Sequence, residues 1–163
     1  MIRRATSEDL NAISKVYETA RQYMKDTGNP TQWGDDYPAV EAICEHMSNG
    51  DMYVVERNGQ ICGAFAYIVG VEHCYLQIEG NWRYEGEYGT IHMMASGGTE
   101  KRIFEEALAF SKGICSHVRI DTHPDNKTMQ HLILKHGFEY CGIIYVSDGT
   151  PRYAYEQIFS QRG

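Results

Sequence analysis

The stretch from Ile120 to Phe138 constrains this chain more than any other, because it reads as strand, turn and capped helix in immediate succession. Val118-Arg119-Ile120-Asp121-Thr122 has strand character. His123-Pro124-Asp125-Asn126 breaks that strand, since the residue before a proline is steered away from helical angles and Asp or Asn caps a helix start. Met129, Leu132 and Ile133 then recur at one-face helical spacing, and Gly137 ends the helix before Phe138 opens another apolar run. A helix start set against the end of a strand is a ligand-binding edge.

The rest of the chain supplies elements around this one. Thr6-Ser7-Glu8-Asp9 signals a helix start, with Leu10, Ile13, Val16 or Tyr17, Ala20 and Met24 on one face and a short strand from Ile2 before it. A polar loop over Gly28 to Tyr37 carries Trp33 and Tyr37, and Pro38 begins a second helix with Val40, Ile43 and Met47 inward and Gly50 at its end. Met52 to Arg57, Asn58-Gly59 and Gln60 to Val69 form a hairpin, because Asn-Gly supplies the positive backbone angles of a tight turn. Tyr75 to Trp82 reads either as a strand end or as one helical turn. Tyr88 to Ala95 is a strand, Ser96-Gly97-Gly98-Thr99 a loop, and Glu100 to Lys112 a helix that faces inward through Ile103, Ala107 and Leu108 and closes at Gly113. Phe138 to Val146 and Arg152 to Phe159 make a terminal hairpin, a candidate homodimer edge.

At 163 residues one domain over 1–163 accounts for the whole chain. A net charge of −7 argues against non-specific nucleic-acid binding and favours cationic partners such as an amine. No run is long enough to span a bilayer, and the N-terminus runs directly into helix signals, so a cytoplasmic protein with no membrane partner is expected. The five cysteines are widely spaced and odd in number, which reads as reduced thiols. No H-E-x-x-H pair is present and His131 and His136 are five apart, so no metal site is expected. Hydrolase, nucleotidase and dehydrogenase signatures are likewise missing.

Asn126, Met129, Leu132, Lys135, Gly137 and Phe138 resemble the segment N-x-x-(A/M)-x-x-L-x-x-K-x-G-F of the GNAT superfamily, the acyl-CoA-dependent N-acetyltransferases. The order of elements resembles that family across nearly the full chain. The resemblance implies an α/β (α+β) fold with a mixed, mostly antiparallel central sheet flanked by helices on both faces. It implies acetyl-CoA as co-substrate and a small-molecule or peptide amine as acceptor.

On this resemblance Met93, Met94 and Ala95 pair with pantetheine, and the loop and helix start at Gly97, Gly98, Lys101, Arg102, Ile103 and Phe104 receive the pyrophosphate. Asn126 lies near the same cofactor. The family pattern (R/Q)-x-x-G-x-(G/A) falls on Thr99 to Phe104, so Arg102 and Phe104 occupy its small positions. Two readings follow: Lys101 and Arg102 hold phosphates by charge, or Arg102 and Phe104 obstruct the pocket and the protein is a non-catalytic GNAT-like module that binds a ligand or partner. The tyrosine that serves many members as acid is replaced here by Ile133. His92 and His123 are the candidate catalytic groups, since imidazole titrates near neutrality. Trp33, Tyr37, Glu79 and Tyr145 are candidates for the acceptor pocket.

Overall fold

The Asp9 carboxylate accepts the Thr6 N–H at 2.7 Å, closing the helix start that the Thr6-to-Asp9 signal predicts. In the computed structural model, which describes residues 1–159, a short 3-10 helix over Ser7–Asp9 links strand β1 (Ile2–Arg4) to helix α1 (Leu10–Asp26). There follow α2 (Val40–Asn49), β2 (Met52–Arg57), β3 (Gln60–Val69), β4 (Glu79–Gly80), β5 (Gly89–Ser96) and α3 (Ile103–Ile114). The chain continues through β6 (His117–Thr122), α4 (Lys127–Lys135), β7 (Glu139–Tyr145) and β8 (Pro151–Ile158). The strands hydrogen-bond in the order β1-β2-β3-β5-β6-β8-β7-β4; β5 and β6 are parallel, and the other pairings described are antiparallel. This is the mixed, mostly antiparallel α/β sheet expected from the sequence.

Two compact units divide the chain, one of Met1–Ile68 with Ile91–Phe110, the other of Val69–Thr90 with the residues from Ser111 onward. In the first, the Asn58-Gly59 turn has φ of 54° and 77°, the left-handed angles that join β2 to β3 without splaying them. Ile13, Val16, Tyr17 and Ala20 of α1 and Ile43 of α2 pack with Met52 and Val54 of β2, Ala64 and Ala66 of β3, and Met93 and Ala95 of β5. The alternate residues Tyr53 and Phe65 stack on each other and meet Phe110 of α3, with ring centroids 4.9 and 6.2 Å from it. Period-two alternation along β2 and β3 thus puts α1 and α2 on one face and α3 on the other. Gly63 permits the second packing, because a Cβ there would fall 2.5 Å from Cγ2 of Ile103.

The second unit is built on β6, β8, β7 and the short β4. Tyr75, Tyr88, Ile144 and Ala154 form its aromatic-rich core, with Trp82 and Ile78 against it. Gly80 faces Gly142 across β4 and β7, and both have positive φ. A Cβ on either would lie 2.2 Å from a carbonyl oxygen of the opposing strand.

Several details differ from expectation. α2 begins at Val40, which is half exposed rather than inward. α3 begins at Ile103, three residues late, because Arg102 has φ of 67° and cannot continue a helix backwards; it then runs through Gly113 to Ile114. Within the ambiguous 75–82 segment the structure has the two-residue strand β4, and a 3-10 turn over His73–Tyr75 leads into the segment. β8 is an interior strand, and β4 covers Gly142 and Ile143 of β7, so the terminal hairpin is not a bare edge. Among the described residues no helix is long and apolar enough to cross a membrane.

Candidate active site

Met93 lies in the middle of β5 with φ of 55°, a left-handed angle that is costly for an unbranched side chain in a strand. Its carbonyl accepts the hydroxyl of Tyr17 from α1 at 2.8 Å. Tyr17 is buried, and burial, with Tyr37 a smaller contributor, pushes its hydroxyl well above the ordinary tyrosine range, so it stays a donor. The edge of its ring meets Trp33 at 5.7 Å, and Trp33 meets Tyr37 at 5.9 Å. Two acceptor-pocket candidates therefore stand in one aromatic row that ends on the Met93 carbonyl. Helical spacing offers Val16 or Tyr17 for the core face of α1 and carries no sign of this contact.

His92 and Met94 alternate with the buried Ile91, Met93 and Ala95 and are each half-buried. Met93 and Ala95 pack into the α1 core.

Beyond β5 the Gly97 N–H donates to the Cys62 carbonyl at 2.9 Å and the Gly98 N–H to the Ser96 hydroxyl at 3.2 Å. These two amides are committed within the protein, so backbone donors for a phosphate would come from the residues that follow. There Arg102 takes the left-handed conformation at a position the GNAT resemblance gives to glycine. Phe104 and Ile103 are buried. Lys101 and Arg102 are exposed and precede the helix instead of lying on its face.

Arg57, at the end of β2, holds this segment in place. Its guanidinium donates to the Glu100 carboxylate at 3.1 Å and the Lys101 carbonyl at 2.8 Å, and pairs with Glu106 at 3.0 Å. Arg57, Arg102, Glu105, Glu106 and Ala109 line a cleft of about 290 Å³. No local motif marks Arg57, whose partners lie more than 40 residues away.

In the second unit Asn126 caps α4, its side-chain oxygen accepting the Met129 N–H at 3.0 Å. The Asn126 N–H donates to the His123 carbonyl at 2.9 Å. His123 Nδ1 accepts the Asp125 N–H at 3.0 Å, and burial, followed by the nearby Arg152 charge, lowers its pKa against the opposing pull of Asp125. Nδ1 of His123 is thus engaged in the turn, a poor arrangement for a proton-accepting base at that nitrogen. Glu79 accepts the Tyr145 hydroxyl at 3.1 Å, which joins those two candidates as one pair. Ile133, in the position of the family's acid, is fully buried. Among the described residues no group of three or more His, Cys, Asp or Glu side chains is arranged to hold a metal ion.

Comparison with models of protein families gives no match, and comparison with curated proteins gives none either. Solved structures do match. An acetyltransferase of the GNAT family from Streptococcus agalactiae is 32% identical over 99% of this chain and 96% of its own, with a TM-score of 0.87. A Staphylococcus aureus structure described as a candidate acetyltransferase is 25% identical over 97% of this chain and 98% of its own, with a TM-score of 0.68. A GNAT acetyltransferase from Brucella melitensis in complex with acetyl-CoA shares the fold at 15% identity and a TM-score of 0.54, covering 98% of this chain and 88% of its own. The fold is that of these acetyltransferases. The chain belongs to the GNAT family of acetyltransferases.

Proposed function

We propose that the protein moves an acetyl group from acetyl-CoA to a primary amine of a small molecule or peptide by direct attack in a ternary complex. The observation that carries this reading is the backbone at residues 102–104. Although both small residues of the family pattern are replaced, Arg102 adopts the left-handed angle and Phe104 is buried at the start of α3, which supports a phosphate-binding turn there. Helix N–H groups there, with Lys101 and Arg102 beside them, suit a pyrophosphate. The acetyl-CoA seen in the Brucella melitensis structure supports the same co-substrate.

In the reaction the amine nitrogen attacks the thioester carbon, the C–S bond breaks and CoA leaves as a thiolate. Its pKa of about 8.5 lets it depart without a strong acid, which accommodates Ile133. An alkylamine with a pKa of about 10.4 has to lose a proton first, and half-buried His92 on β5 is the group proposed to take it, directly or through water. Trp33 and Tyr37 are proposed to receive the acceptor, and the net charge of −7 favours a cationic one. The five free thiols are compatible with a reducing cytoplasm.

A second reading, a binding module without catalysis, is favoured by one observation, the buried Ile133 in place of an acid. Thermal unfolding with acetyl-CoA and with CoA separates the proposals from an empty scaffold. Ligand at 100 times its dissociation constant should stabilise the protein by about 2.7 kcal/mol. No shift at millimolar ligand would overturn acetyl transfer, and binding without turnover over a panel of amines would favour the module.

A further inference from the structure

We propose that Tyr17 is a positioning residue for acetyl transfer, holding the 93–94 peptide so that the Met94 N–H is presented to the thioester carbonyl oxygen. The inference rests on the acetyl-CoA reading above and extends it to a residue outside the family motif.

Three observations converge. Met93 is one of three non-glycine residues with positive φ among those described, and the other two, Asn58 and Arg102, lie in a turn and a loop. A methionine inside a strand has no local reason to adopt this angle, so something non-local has to maintain it. The hydroxyl of Tyr17 does so by donating to the Met93 carbonyl at 2.8 Å from a residue only 1% exposed. The phenol itself is clamped by Trp33, whose ring it meets edge-on.

The geometry of a trans peptide then transmits the effect. The carbonyl of residue 93 and the N–H of residue 94 point to opposite sides of one rigid plane. Aiming the carbonyl at α1 therefore aims the Met94 N–H away from it, and Met94 is half-buried rather than enclosed. A fixed N–H is what stabilises the oxygen of a thioester as it gains negative charge under attack, and it does so best when no reorganisation is needed.

Calorimetric titration of the wild type and of Tyr17→Phe with acetyl-CoA and CoA tests this, because the two ligands differ only in the acetyl group. The wild type should bind acetyl-CoA more tightly than CoA. In Tyr17→Phe the acetyl-CoA affinity should fall by roughly 5- to 10-fold, the scale of one weakened hydrogen bond to a neutral carbonyl, with CoA affinity held within about 2-fold. Adding Met93→Gly should restore the preference, since glycine adopts the left-handed angle unaided, and the double variant serves if the single one does not fold. Equal weakening of both ligands, an unchanged ratio, or a wild type with no preference overturns the role of Tyr17 while leaving acetyl-CoA binding intact. A wild type that binds neither ligand overturns the acetyl-CoA reading and the role of Tyr17 together.

Discussion

Arg119 donates through Nε to Glu156 Oε2 at 3.0 Å, a pair in which the carboxylate is fully buried. The same carboxylate faces His117 Nε2 at 2.8 Å and accepts the backbone N–H groups of Arg83 and Tyr84. Burial alone would raise its pKa, but the hydrogen bonds from His117, Arg83 and Arg119 prevail and hold it below the ordinary range. The guanidinium is flanked by Trp82 and Tyr88, each ring centroid 4.1 Å away. Glu156→Ala strands a buried cation and should destabilise the protein by about 3–5 kcal/mol in urea unfolding. Glu156→Leu, which also fills the space, should remain destabilising because Arg119 still lacks its partner.

Asp9 sets an acid limb. Its pKa is lowered from 3.8 to about 2, chiefly by the hydrogen bond from Arg3, against burial and with help from the Thr6 N–H. The unfolded chain therefore binds more protons between these values, so the stabilisation is complete above about pH 4 and is lost as pH falls toward 2. It should amount to roughly 1–2 kcal/mol. Asp9→Asn should flatten that part of the stability–pH curve, and an unchanged slope would remove Asp9 as its source.

Gly63→Ala should cost about 1–3 kcal/mol, because the added methyl overlaps Ile103 and lies 3.2 Å from the Ala95 carbonyl. Combining it with Ile103→Ala should cost less than the sum of the two single changes. Additive losses in a double-mutant cycle would show that the two positions do not compete for space.

Arg102→Gly relieves a left-handed backbone and should leave stability unchanged or raise it by up to about 1 kcal/mol. It also removes a charge from the phosphate-facing segment of the proposed site, so CoA affinity should fall and depend less steeply on salt. Affinity measured at two ionic strengths checks both effects.

His92→Ala should lower turnover at pH 7 by about 100-fold while changing CoA affinity less than 3-fold, the range for loss of a general base. Equal losses in turnover and affinity would take His92 out of that role.

Elements with strong local chemistry were legible in the sequence. Asn58-Gly59 dictates its own turn, and Asn126 its own helix cap, whatever surrounds them. The α3 boundary was not, because Thr99 and Glu100 carry helix-start chemistry while the left-handed angle at Arg102 depends on the chain around it. Glu156 carries no local signal of its role, because Arg119 and His117 come beside it only through the pairing of β6 with β8. Tyr17 and Met93 are 76 positions apart, and helical periodicity explains the tyrosine fully without its hydroxyl. The parts of the site missed by the sequence are those made by long-range polar contacts, for which no short spacing exists.

Gly80 and Gly142 meet so closely that neither position has room for a first carbon. Each hypothetical clash is with a backbone oxygen of the opposing strand, so a replacement at either position has to push the two strands apart. The outer margin of the sheet is held this close through the lack of side chains at two facing positions.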